Sequence, residues 1–228
     1  MKEFINKVTC GDCLKLLKKI PDQSIDLIIT DPPYGINYLS NYYKEGNPFN
    51  KIEGDQKLDL SYAKELFRVL KDDCACFVFI RYDKRNEFIK AFKDFKLKNE
   101  LIWVKNNWTA GDLTGNFGNQ YETILFLVKG DFKLKSKRYS NILKFDRVSP
   151  DKLQHPTEKP VKLIEKLIKC ASNTNDLILD PFLGSGTTAV ACKILERDFI
   201  GFEISQEYCK VANKRLNNVP EKLRKWFS

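Results

Sequence analysis

Short apolar runs alternate with helical patterns along nearly the whole chain, and two of the runs end in an aspartate followed by proline. Ile25–Thr30 leads into Asp31-Pro32-Pro33-Tyr34, and Leu177–Leu179 leads into Asp180-Pro181-Phe182-Leu183-Gly184-Ser185-Gly186-Thr187-Thr188. Such alternation is the pattern of a parallel sheet covered on both faces, because parallel neighbours need a crossover to bring the chain back. Strand signals fall at 8–10, 25–30, 74–80, 97–104, 121–128, 177–180 and 199–203. Helical patterns fall at about 11–19, 60–70, 84–92, 161–170, 187–195 and 206–216. The runs 97–104 and 121–128 have no helix between them and are expected as antiparallel edge strands. Segments 35–57, 105–120 and 130–158 break the alternation, and loops of this kind in a doubly wound sheet lie where ligands bind.

The 228 residues are 43% hydrophobic, enough for one sizeable core, so a single domain over 1–228 is expected. A net charge of +9 favours a polyanionic partner and equally fits a lysine-rich solvated surface. No run of about 18 apolar residues is present, and Met1-Lys2-Glu3-Phe4 lacks the apolar core of a secretory signal, which together predict a cytoplasmic protein with no membrane attachment. Its seven cysteines are then expected to be reduced. Cys10 and Cys13 invite a zinc or redox reading, as do Cys74 and Cys76. The second pair has a one-residue gap within a strand pattern, and neither pair opens a thioredoxin-like helix, so no metal is expected.

In the second junction, Gly184 and Gly186 let the turn approach a ligand, and the following helix offers unpaired N–H groups to a carboxylate. Asp180 at the strand end calls for a cationic group. A pyrophosphate suits that carboxylate poorly, whereas the amino-acid tail of S-adenosylmethionine carries an ammonium for it. Glu203 ends the next strand and is placed to accept from both ribose hydroxyls in preference to serving as a helix N-terminal charge. Asp12, after the first strand, is a candidate for the adenine amino group. In the first junction, Asp31 and the Pro32 carbonyl can accept the two hydrogens of an amino group on a conjugated ring, and Tyr34 can stack on that ring. Pro33 stiffens the loop. The alternative is a turn that simply ends a strand. No Pro-Cys pair occurs, which disfavours covalent carbon methylation of cytosine. His155, the single histidine, reads as a capping or cofactor-edge residue in preference to a general base.

These motifs, in this order, resemble those of the beta-type DNA amino-methyltransferases. The resemblance runs from Val8 to Leu216. It includes Gly11-Asp12, Ser24 to Tyr34, Leu101-Ile102-Trp103-Val104-Lys105, Tyr121-Glu122-Thr123-Ile124-Leu125, His155 to Pro160, the glycine turn and Gly201-Phe202-Glu203. It implies a Rossmann-like class I methyltransferase fold, with a mostly parallel seven-stranded sheet, one antiparallel strand and a circularly permuted order. It also implies S-adenosylmethionine as cofactor and a base flipped out of double-stranded DNA. Asp31, Pro32, Pro33 and Tyr34 would then be catalytic. Asp12, Cys13, Thr30 and Glu203 would line the cofactor, as would the turn formed by Asp180, Pro181, Phe182, Gly184, Ser185, Gly186, Thr187 and Thr188. Thr157 and Lys159 would lie near its methionine end. An aspartate at the first motif position leans toward adenine N6, with cytosine N4 as the alternative.

The segment that reads DNA in the family is reduced here to about residues 130–154. Lys133, Lys135, Lys137, Arg138 and Arg147 are candidate phosphate contacts, with Lys105 and Asn106 from the 105–120 loop and Tyr42 and Lys44 from 35–57. That last segment is expected as a mobile loop near the active site, and its aromatic and basic residues also suit base stacking and phosphate contact. A homodimer and a companion restriction endonuclease are further expectations from the family. RNA or protein amino methylation is a nearby rival, although those families commonly carry the glycine motif first. A catalytically silent nucleic-acid-binding module is the rival from another class.

Overall fold

A computed structural model describes residues 1–36, 54–108 and 114–220. Tyr42, Lys44 and most of the 35–57 loop lie outside the described residues. Among the described residues eight strands form one sheet: β1 (Lys7–Cys10), β2 (Ile25–Thr30), β3 (Leu70–Ile80), β4 (Lys96–Val104), β5 (Tyr121–Lys129), β6 (Ile142–Lys144), β7 (Leu177–Asp180) and β8 (Asp198–Glu203). Their order is β1-β8-β7-β2-β3-β5-β4-β6. Neighbours are parallel except β3 with β5 and β5 with β4, so β5 alone is reversed. This is the mostly parallel, doubly wound arrangement expected from the sequence.

The structure departs from the sequence reading at one side of the sheet. β5 is inserted between β3 and β4 and is no edge strand, and β4 runs with the parallel set. The reason is burial: Ile124, Leu125, Leu127 and Val128 fill both faces of β5, which belongs inside a covered sheet. β6 adds an eighth strand beyond β4. Its three residues bury only Leu143, too short a stretch for a period-two pattern to be read.

Among the described residues six α-helices cover the sheet: α1 (Cys13–Leu17), α2 (Tyr62–Val69), α3 (Arg85–Ala91), α4 (Val161–Ala171), α5 (Thr187–Ile194) and α6 (Gln206–Asn217). Alternating strand residues feed two cores. Ala75, Phe77 and Phe79 of β3 pack with Leu163 and Leu167 of α4, Ala189 of α5 and Ala212 of α6. Cys76, Val78 and Ile80 pack with Leu17 of α1, Leu66 of α2 and Phe88 of α3. Among the described residues no helix is long and apolar enough to cross a membrane.

Two features of the topology position the site. From β2 the chain winds through α2 to β3, and from β7 it winds through α5 to β8, on the other side. β2 and β7 are nevertheless direct neighbours, with Leu27 beside Ile178 and Ile28 beside Leu179. The crossovers diverge there and leave a crevice beyond the carboxyl ends of both strands. Each ladder stops where it does because Pro32 and Pro181 have no N–H to continue it.

Candidate active site

The carboxyl ends of β2 and β7 open into one cavity of about 1130 Å³, whose walls include Asp31–Tyr34, Asp180–Ser185, Asp12 and Glu203. That volume suits a nucleoside cofactor together with a single base. The two junctions are therefore neighbours in space, separated in sequence by most of the chain.

At the β7 junction the turn is held from three sides. Gly184 and Gly186 have left-handed backbones, with φ of +55° and +86°. A Cβ on Gly186 would stand 2.8 Å from Ala212 Cβ, so glycine there lets the start of α5 rest on α6. Glu203 accepts from the Gly184 N–H at 2.7 Å and from the Ser205 N–H at 2.8 Å, tying the turn to the start of α6. Arg215 of α6 donates to the Ser185 carbonyl at 2.9 Å and hydroxyl at 2.6 Å, and to the Thr187 hydroxyl at 3.2 Å. It also pairs with Glu158 at 2.8 Å. The hydroxyls of Ser185 and Thr187 are thus engaged with α6, while Gly184, Ser185, Thr187 and Thr188 line the cavity.

Asp180 is buried and accepts from the Thr188 hydroxyl at 2.6 Å and from the Phe182 N–H at 3.1 Å. Burial pushes its carboxyl up to about 7, against those two bonds, and the charges of Asp31 and Glu203 add to the rise. No lysine or arginine among the described residues neutralises it, so the site fits a ligand that brings its own cation. Asp12 caps α1 by accepting from the Leu14 N–H at 2.8 Å, and its free lone pairs remain available at the cavity wall. Cys13 also lines the cavity, with its thiol raised by burial to about 12, hence uncharged. Thr30 is buried and its hydroxyl has no hydrogen-bond partner among the described residues.

At the β2 junction Asp31 is met on both oxygens. The Tyr34 hydroxyl donates to Oδ1 at 2.5 Å and Lys159 pairs with Oδ2. Lys159, expected near the cofactor's methionine end, sets its ammonium on the Asp31 carboxylate. Burial raises the Asp31 carboxyl; Lys159 lowers it, Glu122 raises it, and the net shift is upward. Behind Lys159 stands Glu122 of β5, 3.3 Å away, which pairs with Lys105 at 2.7 Å on its other oxygen. Burial alone would raise Glu122, but the two lysines reverse the sign and hold it below the usual carboxylate range. Lys105, a candidate phosphate contact, is buried at 7% exposure with its charge committed to Glu122.

Other expected residues separate by position. Arg147 lines the cavity and its N–H donates to the Asn106 side chain at 3.1 Å. Lys133, Lys135, Lys137 and Arg138 are exposed but none lines the cavity. The Lys135 N–H bonds to the Cys170 carbonyl near the far end of α4 from Lys159. Thr157 lies at the site, its carbonyl accepting from Lys159 at 3.2 Å. His155 is buried between the glycine turn and Tyr208, its ring 4.3 Å from the tyrosine's. Burial, with Lys159 and Arg215 nearby, depresses it to about 3, and its Nδ1 accepts from the Thr157 N–H at 3.2 Å. A packed imidazole held neutral in this way sits against the glycine turn and accepts from its own loop. Glu122 and Arg215 carry no role in the sequence reading. Glu122 is an acid near the start of an otherwise apolar strand, which is a signal; Arg215 reads as one more surface charge on an amphipathic helix.

Residues 25–214 match a sequence family described as DNA methylase. The chain is 33% identical to the type II methyltransferase M.HinfI of Haemophilus influenzae, over 96% of this chain and 70% of that protein. It is 29% identical to M.HpaI of Haemophilus parainfluenzae, over 93% of this chain and 74% of that one. Its fold superposes on the solved complex of M1.HpyAVI with S-adenosylmethionine, with a TM-score of 0.72 and 29% identity, covering 92% of this chain and 98% of that one. It also superposes on the PvuII cytosine-N4-specific DNA methyltransferase, with a TM-score of 0.74 at 23% identity, covering 95% and 89%, a likeness of fold alone.

Proposed function

The chain belongs to the DNA methylase family, whose enzymes methylate DNA amino groups from S-adenosylmethionine, and on that premise we propose that its target is the exocyclic N6 of adenine in a flipped-out base. The observation that carries the reading is the convergence of Asp31-Pro32-Pro33-Tyr34 and the Asp180–Ser185 turn on one cavity at the β2/β7 divide. The buried, unneutralised Asp180 would hold the cofactor's ammonium, the first N–H groups of α5 its carboxylate, Glu203 the ribose hydroxyls and Asp12 the adenine amino group. Bound there, S-adenosylmethionine supplies a methyl group on an electrophilic sulfonium.

Asp31 and the Pro32 carbonyl would accept the two hydrogens of the target amine, which turns its delocalised lone pair outward for attack. Tyr34 would leave its bond to Asp31 and stack on the base. The raised carboxyl of Asp31 suits it to take the proton that the methylated nitrogen must shed. The aspartate at position 31 is what favours adenine over the N4 of cytosine. Mass spectrometry of nucleosides from duplex DNA treated with the enzyme checks this. N6-methyladenine is the expected product, and N4-methylcytosine alone would overturn the adenine assignment.

A further inference from the structure

In the ligand-free site both oxygens of Asp31 are engaged, Oδ1 by the Tyr34 hydroxyl and Oδ2 by the Lys159 ammonium. Tyr34 leaves Oδ1 to stack on the base, so the buried Lys159 ammonium is the group that competes with the incoming amine, and later with its proton, for the carboxylate. Lys159 is 7% exposed, and a charge that leaves its partner inside a protein needs another partner within reach. The structure supplies one. Glu122 Oε2 lies 3.3 Å from Lys159 Nζ, is fully buried, and has no aligned hydrogen-bond donor among the described residues. Its other oxygen is fixed by Lys105. The cluster holds two ammoniums and two carboxylates, so moving Lys159 from Asp31 to Glu122 changes no net charge in the buried site.

We propose that Glu122 is a positioning residue that receives Lys159 when the target amine takes its place on Asp31, with Lys105 anchoring Glu122 for that exchange. The inference rests on the amino-methylation reading given above. The exchange also times basicity. While Lys159 sits on Asp31 it holds the carboxylate's proton affinity down against the raising effect of burial; once the ammonium moves, that affinity rises further. In the reaction the methyl carbon leaves sulfur, which keeps the bonding pair as a thioether, and bonds to the amine nitrogen. The resulting cation loses one N–H proton to Asp31 Oδ2, and that proton passes to solvent on product release. The charged or titratable groups facing Asp31 are Tyr34 from its own loop, Lys159 from the segment before α4, Glu122 of β5, Tyr62 of α2 and Asp180 of β7, with Lys105 behind Glu122.

The test compares wild type, Glu122→Gln and Lys105→Met on the same duplex DNA, reading kcat against pH, cofactor Kd and melting temperature. In Glu122→Gln, Lys159 has no second anion and stays on Asp31. Its kcat should fall about 10- to 100-fold, the worth of a charged hydrogen bond, with cofactor Kd unchanged. Its acid limb should move to lower pH, because Asp31 loses a like charge and keeps its counter-ion. Lys105→Met leaves Glu122 free to draw Lys159 away, so its acid limb should move to higher pH. Glu122→Asp, which keeps the charge, should recover part of the loss. Wild-type kcat in Glu122→Gln overturns the proposal, as do acid limbs that stay fixed while only melting temperatures fall. Should wild type itself transfer no methyl to a DNA amino group, the underlying reading of the function is what fails.

Discussion

Replacing Asp180 by asparagine separates stability from binding. In the ligand-free protein, burial raises this carboxyl from the ordinary 3.8 to about 7, with Asp31 and Glu203 adding to the effect. A carboxyl with a folded pKa above its unfolded one contributes stability below pH 3.8, and that contribution is lost as pH rises through about 7. At 1.36 kcal/mol per pH unit, the ionised group costs the fold roughly 4 kcal/mol at pH 8 and roughly 2 kcal/mol at pH 5. Asp180→Asn removes the charge and keeps an acceptor for the Phe182 N–H. The ligand-free variant should thus melt up to roughly 10 °C above wild type at pH 8, with a smaller gain at pH 5. Binding should move the other way. If the cofactor's ammonium requires the ionised form, about one wild-type molecule in ten is competent at pH 6, and the apparent Kd is about tenfold weaker than at pH 8. Calorimetric titration in buffers of different ionisation enthalpy should show close to one proton released per cofactor bound at pH 6. The variant should bind weakly with no pH dependence over that range. A variant less stable than wild type at pH 8, or a wild-type affinity that is flat from pH 6 to 8, would refute the reasoning.

Other consequences concern the same cavity. Gly186→Ala places a Cβ at 2.8 Å from Ala212 in a left-handed backbone and should cost about 2–5 kcal/mol. Gly184→Ala meets His155 at an ordinary 3.6 Å and should cost only about 1–2 kcal/mol, a difference that thermal melts will register. Arg215→Met leaves the 5%-exposed Glu158 carboxylate without its ion-pair partner, only the Gln154 N–H remaining, and should cost about 3–5 kcal/mol. In that background Glu158→Gln should return part of the loss, and chemical denaturation measures both. Asp31→Ala should abolish tritium transfer from labelled cofactor to DNA while cofactor affinity persists; an active variant removes Asp31 from the chemistry.

Much of this arrangement was legible in the sequence because it is written in local signals. Strand runs broken by Asp-Pro, and glycines before a helix, mark the two junctions without knowledge of the fold, and their neighbouring strands then place Asp31 and Asp180 together. Residues whose role depends on a distant partner were not legible. Lys105 and Lys159 look like exposed bases until Glu122 is seen between them, a contact that joins the end of β4, the start of β5 and the segment before α4. The order of β4 and β5 escaped for a similar reason, since hydrophobic content shows that a strand is buried but not which neighbour covers it. Arg215 makes its contacts 28 to 57 residues away in sequence, and helical periodicity cannot show that.

The most direct measurement is a structure of the protein with duplex DNA and a non-transferring analogue of the cofactor. The predicted result is a single extruded base whose exocyclic nitrogen bonds to Asp31 and the Pro32 carbonyl, about 3–3.5 Å from the position of the transferable methyl, with the analogue's ammonium on Asp180. A base still stacked in the duplex, or an analogue bound away from the Asp180–Ser185 turn, would contradict it.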